Sequence, residues 1–279
     1  MTIHWYPGHM ATARREITEA LPGVDLLIEV LDARIPRTSS NPHVALLRGN
    51  KPCVQILHKS DLADPAVTAA WLAHLSAIPG LHPIPYHHRQ PQLLRTVMTA
   101  ARGLVPTPKN RPLSAMILGI PNVGKSTLIN LLAGRTIAKT GNKPALTQMQ
   151  QRVRVSAELM LLDTPGFLWH KLTPEIRAYR LAVTGAISER AYQVEDLAAF
   201  AARFLLDSYP DRLRATYGLE PLPDEETAML DAIGRRHGFL GRGGVIDPKR
   251  SAERLLADLR SGGLGPLSLE TPDEVLDEG

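Results

Sequence analysis

The nine residues GIPNVGKST, numbers 119–127, fit the pattern GxxxxGKS. They sit between LSAMILGI (113–120), an apolar run that reads as a buried strand, and a segment from Lys125 to about Ala133 that reads as a helix. In that setting the glycines let the backbone wrap a phosphate chain, and the helix N-terminus supplies partial positive charge. Lys125 reaches the terminal phosphates, and the Ser126 hydroxyl is a ligand for Mg²⁺. The candidate phosphate-binding set is Asn122, Val123, Gly124, Lys125, Ser126 and Thr127.

A nucleoside triphosphate site needs a second group on the metal side, at the end of a neighbouring strand. ELMLLDTPG (158–166) supplies it as Asp163, and Gly166 then offers a backbone N–H to the γ-phosphate. The base is specified elsewhere. Guanine differs from adenine by its N1–H and exocyclic amine, two donors that one carboxylate accepts side by side. An NKxD loop at a strand end does this, and none follows Asp163. Upstream, however, HKSD (58–61) closes the apolar strand PCVQIL and puts Lys59 and Asp61 where such a loop requires them. His58 stands at the Asn position, so an imidazole nitrogen takes the place of the amide that normally ties this loop to the phosphate loop. The order is therefore base loop, phosphate loop, Asp163 loop, whereas ordinary G domains begin with the phosphate loop. The expectation is a circularly permuted G domain.

At this point the chain resembles the ribosome biogenesis GTPase A family of permuted GTPases. The resemblance is carried by HWYPGHMATARR (4–15), VDLLIEVLDARIPRTSSNP (24–42), HKSD, GIPNVGKST, GNKPALTQMQQ (141–151), LLDTPGFLWHK (162–171), GGVIDPKRSAERLL (243–256) and SGGLGPLSLETP (261–272), which span the chain. It implies GTP and GDP as ligands, Mg²⁺ held by Ser126, Thr147 and Asp163, and K⁺ held beside the phosphates by Asn122. It also implies a partner, a late precursor of the large ribosomal subunit with its rRNA and proteins. Many small GTPases place a water-orienting Gln directly after DxxG, but here that residue is Phe167, which neither donates nor accepts. A low intrinsic rate, raised by a partner, follows. For His9, in PGHM, the resemblance suggests a substitute that orients water; the other reading is a brace for the following helix. The loop expected near Pro85–His87 to complete the guanine side, PYHH, matches its motif poorly.

Around these motifs, strands read at 24–33, 52–57, 82–86 and 113–120, with two more leading to Asp163. Helices read at 10–21, 65–77, 91–103 and from Lys125, and this alternation implies a mostly parallel sheet with helices on both faces. After about Glu175 only helices read, near 176–187, 193–208, 223–237 and 248–260. The expected division is a G domain over 1–175 and an all-α domain for RNA or ribosome binding over 176–279, ending in an acidic tail.

Charge is divided the same way. Residues 1–175 hold 19 Lys and Arg against 10 Asp and Glu, and residues 176–279 hold 13 against 18, five of those acids in the last ten positions. Arg235, Arg236, Arg242, Lys249, Arg250, Arg254 and Arg260 bunch in the helical half. They read either as a polyanion-binding surface, with Arg250 and Arg254 on one face, or as solvated helix charge. Composition, with 44% hydrophobic and 22% charged residues, excludes a disordered or fibrous chain. No apolar run approaches the ~18 residues of a membrane span, and the N-terminus lacks the pattern of a signal or transit peptide. A cytoplasmic protein, monomeric off the ribosome and without membrane or DNA partner, is expected. The single Cys53, inside CVQIL, reads as a small core residue. Two other functional classes stay open: a GTP-gated RNA-binding placeholder with incidental hydrolysis, and a GTPase acting on a non-ribosomal partner.

Overall fold

The computed structural model describes residues 10–90, 92–137, 151–166 and 172–275. In chain order the elements are α1 (Met10–Ala20), β1 (Leu26–Asp32), α2 (Pro36–Ser39), α3 (Pro42–Arg48), β2 (Cys53–His58), α4 (Pro65–Ser76), β3 (Leu81–Tyr86), α5 (Leu93–Leu104), β4 (Leu113–Gly119), α6 (Lys125–Ala133), β5 (Gln151–Arg154) and β6 (Leu159–Asp163). The helical half follows as α7 (Glu175–Val183), α8 (Val194–Ser208), α9 (Pro210–Tyr217), α10 (Glu226–Arg236) and α11 (Pro248–Ser261). Three helices start at an Asn-Pro or Asp-Pro pair. The Asn41, Asp64 and Asp247 side chains each accept a backbone N–H of the first turn, and the following proline loses nothing at a position with no helical acceptor. The short α2 and α3, and α9, are absent from the sequence reading, because four to eight residues show too little of the 3.6-residue period.

One six-stranded sheet runs in the order β3-β2-β1-β4-β6-β5, parallel throughout except for the antiparallel β5–β6 pair. The central β1 is buried along its whole length and β4 along nearly all of it, so their sequences read as continuous apolar runs rather than alternating ones. From β1 the chain works outward to β2 and β3, returns beside β1 with β4, and then adds the edge strand β5 before β6 fills the place between β4 and β5. The winding reverses between β1 and β4, and the crevice at the carboxyl ends of strands at such a point is where open α/β sheets bind ligands. Phosphate-loop strand β4 is central although it comes fourth, which is the topology of a circularly permuted G domain.

The described residues form two compact units. One takes in Tyr6–Leu172 together with Glu270–Leu276, and the other is built on Thr173–Leu269. The acidic segment from Glu270, read as a tail of the helical half, is therefore grouped with the sheet. Glu270 accepts from the Thr38 N–H at 3.0 Å and from the Thr38 hydroxyl, and its carbonyl accepts from the Trp71 indole at 3.3 Å. Arg37 donates to the Pro272 and Glu274 carbonyls while lying over the Trp71 ring. A carboxylate with two donors satisfied and an aromatic to cover stays in place, whatever the charge pattern of its neighbours. On the sheet face that carries Leu27 and Leu31, two apolar clusters form: Ile17, Leu27, Cys53 and Met116 in one, Leu31, Leu57, Trp71 and Leu75 in the other. Cys53 is a buried free thiol whose burial raises its pKa, as a core residue's should.

The helical unit has its own core, with Leu181, Ala198, Ala201, Leu205, Leu213, Ile233, Leu255 and Leu259 all buried. Several of its arginines are structural. Arg260 donates to the Ala182 and Val183 carbonyls at the C-terminal end of α7 and to the Tyr192 hydroxyl, satisfying acceptors that a helix end leaves over. Arg254 pairs with Asp258, which also accepts from Tyr217, and Arg250 lies 4.6 Å from the centre of the Phe239 ring. Arg250 and Arg254 are thus each engaged within the unit. Among the described residues no helix is long and apolar enough to cross a membrane.

Candidate functional site

Every described candidate residue lies at the carboxyl end of a strand, in the loop that leaves it or in the first turn of the helix that follows. Phosphate-loop residues Asn122 (φ 57°) and Gly124 (φ 105°) are in left-handed backbone, and Gly124 caps α6. The loop thus turns its backbone inward over the first turn of α6, where the N–H groups of Lys125, Ser126 and Thr127 have no acceptor within the helix. Lys125 is only 7% exposed; burial lowers its pKa, and the Asp163 carboxylate holds it up. Asp163 is itself buried at the end of β6, two strands removed from β1, and Thr164 beside it donates to the Ile117 carbonyl of β4 at 2.8 Å. A Cβ on Gly166 would meet the Pro121 backbone at 3.2 Å, so glycine is what lets the Asp163 loop close on the phosphate loop. Half-buried Ser126 and buried Asp163 are hard oxygen donors of the kind Mg²⁺ takes, alongside nucleotide phosphates.

The base loop joins this assembly through His58. Its Nδ1 donates to the Val123 carbonyl at 2.8 Å; a carbonyl only accepts, so Nδ1 carries the proton. Burial lowers the imidazole's pKa, with the Val123 hydrogen bond opposing, and the ring is stacked on Tyr86. A Cβ on Gly124 would come within 2.4 Å of two ring atoms, so the imidazole occupies the space that the glycine leaves. The His that replaces Asn in HKSD thereby makes the link to the phosphate loop that an amide makes elsewhere. Lys59, at φ 60°, donates to Asp32 at 2.9 Å, and half-buried Asp61 follows it with no partner recorded among the described residues. Ser60 N–H is held by the Tyr86 carbonyl, which places PYHH beside the base loop whatever its sequence.

A model of the family described as 50S ribosome-binding GTPase matches residues 114–212. Over 284 residues the chain is 43% identical to "Ribosome biogenesis GTPase A" of Bacillus licheniformis, covering 99% of this chain and 100% of that one. The chain belongs to the ribosome biogenesis GTPase A family. Two solved structures share its fold at 25% identity: a GDP-bound structure of TM YlqF, with TM-score 0.69 over 93% of this chain and all of that one, and GNP-bound YlqF from T. maritima, with TM-score 0.68 over 95% and 100%. Membership agrees with the permuted topology, and the fold brings the segments that carry His58, Lys59, Asp61, Asn122, Val123, Gly124, Lys125, Ser126, Thr127, Asp163 and Gly166 to the carboxyl edge of one sheet. His9, Thr147 and Phe167 lie outside the described residues. Sequence reading gave no role to Asp32 and Arg34. Their only signal is a carboxylate ending the strand next to the base-loop strand, in a stretch shared with the family.

Proposed function

We propose that this chain binds GTP and GDP, hydrolyses GTP slowly on its own, and acts in the cytoplasm as an assembly factor on a late precursor of the large ribosomal subunit, which speeds turnover. The observation that carries the nucleotide half is the hydrogen bond from His58 to Val123, which brings two motifs more than sixty residues apart to one crevice. The family's names support the ribosomal half.

In this reading Asp61 accepts the guanine N1–H and amine together, which adenine cannot supply, and the Lys59 stem lies along the base. Lys125 and the N–H groups of the α6 first turn neutralise the phosphates. Ser126, Thr147 and Asp163 would hold Mg²⁺ and Asn122 would hold K⁺, and the two ions would supply positive charge against the phosphates. His9 orients the attacking water in place of the Gln that Phe167 displaces. Residues 1–175, joined by the segment from Glu270, serve as the G domain and the helical residues 176–269 as the ribosome-binding domain, monomeric in isolation and without membrane or DNA partner. Because the chain leaves the Asp163 loop for α7 within about a dozen residues, loss of the γ-phosphate is transmitted to the helical domain.

Hydrolysis of GTP with and without purified large subunits, in K⁺ and in Na⁺, tests this. The expected result is a low rate alone, stimulated by subunits and more so in K⁺. Uptake of ATP in preference to GTP overturns the nucleotide assignment, and a rate indifferent to subunits overturns the ribosomal one.

A further inference from the structure

We propose that Asp32 is the positioning residue of the base loop, holding Lys59 in the conformation from which its stem covers the base. The inference rests on HKSD being that loop. Asp32 closes β1 directly beside His58, which closes β2, and the Ala33 N–H donates to the His58 carbonyl at 2.8 Å, so the two loops leave the sheet at one level. The Asp32 side chain is almost wholly buried, and both its oxygens are engaged. Oδ1 accepts from the Arg34 backbone N–H (3.1 Å) and Nε (2.9 Å); Oδ2 accepts from Arg34 (2.8 Å) and from Lys59 Nζ (2.9 Å).

Lys59 has left-handed backbone, which a side chain with a Cβ adopts only where its surroundings compensate. The compensation here is an ion pair to a carboxylate whose own place is over-determined. The Asp32 N–H donates to Ser39 Oγ, and the neighbouring Thr38 is held by Glu270 from the far end of the chain. With its ammonium tied back to Asp32, the Lys59 side chain remains 23% exposed.

The test is a double-mutant cycle on the full chain, read by titration of fluorescent GDP and GTP and by KM and kcat. Asp32→Asn and Lys59→Met each weaken both nucleotides about tenfold, raising KM while kcat holds, and the double variant loses little more than either single one. Asp32→Asn leaves Arg34 buried beside a neutral amide, so a thermal melt accompanies it. Should the variant not melt cooperatively, Arg34→Lys, which breaks the fork but keeps the charge, shows a smaller loss coupled to Lys59→Met in the same sense. Asp61→Asn separates the two levels of inference. Undiminished GTP affinity in that variant removes the base-loop reading altogether. Loss of GTP there, combined with parental affinity in Asp32→Asn and Arg34→Lys or with fully additive losses alongside Lys59→Met, overturns the positioning role alone.

Discussion

Asp32 and Glu29 leave the same buried strand three residues apart and on opposite faces, and their surroundings treat them in opposite ways. Asp32 faces the site. Burial alone would raise its pKa, but Arg34 and Lys59 beside it more than offset that and hold the carboxyl well below the usual range. Glu29 lies between the two apolar clusters on the other face, 4% exposed, and accepts from Gln55 Nε2 at 2.9 Å and Ser40 Oγ at 3.0 Å. Its hydrogen bonds and the more distant Arg48 do not compensate burial, so its pKa is raised. A buried carboxylate is kept ionised by cations in contact and tends toward neutrality when it has only dipoles. The two are equally buried, and what separates them is the charge of their partners.

The largest expected effect comes from removing the cation that distinguishes them. Arg34→Met leaves Asp32 buried with Lys59 alone and should lower stability by about 3–5 kcal/mol at pH 7, measured by urea unfolding. Asp32's folded pKa is depressed, so its contribution is present above its ordinary value of 3.8 and lost as pH falls below it; the gap between variant and parent should narrow on acidification. A loss under 1 kcal/mol would mean that Asp32 is not held by contact charge.

On the same face, Gly124→Ala sets a methyl against the His58 ring and strains left-handed backbone. A loss of about 1–3 kcal/mol with weaker GDP binding is expected, and unchanged affinity would separate the His58 contact from nucleotide binding. The smallest effect belongs to the other face. Glu29→Gln keeps size and one of the two acceptor oxygens but removes the proton equilibrium. Because Glu29's folded pKa is raised, the parent should lose stability as pH climbs from its ordinary value of 4.5 through the folded value, and the variant should not. The variant should therefore gain on the parent toward pH 8, the reverse of the Asp32 trend. Parallel curves would place Glu29 with the ordinary carboxylates.

Elements with a long period or a cap were legible before any coordinates: α6 from Lys125, β4 from LSAMILGI, α11 from Asp247-Pro248. Lys125, Asp163 and the HKSD loop stood out as motifs by residue type and spacing, and the fold places all three at strand ends or the helix start that follows β4. The short α2 and α3 were not legible, although α2 carries the Ser39 and Thr38 contacts that brace Asp32. Nor was Glu270, which reads as one acid among five in a tail. Arg254 and Arg260 read as surface charge because a sequence shows a cation but not its distance to Asp258 or to the Ala182 carbonyl.

By itself the chain's order of residues determined the motifs, the strand-helix alternation and hence the permuted sheet, since these depend on neighbours within a turn or a strand. Tertiary structure alone decided that His58 reaches Val123, that Asp32 takes Arg34 and Lys59 together, and that Glu270 returns to Thr38. Apart from Asp32 and Arg34, which are two residues apart, those pairings join residues from different strands or from opposite ends of the chain, and electrostatic and hydrogen-bond energies depend on separations in space that only the folded backbone sets.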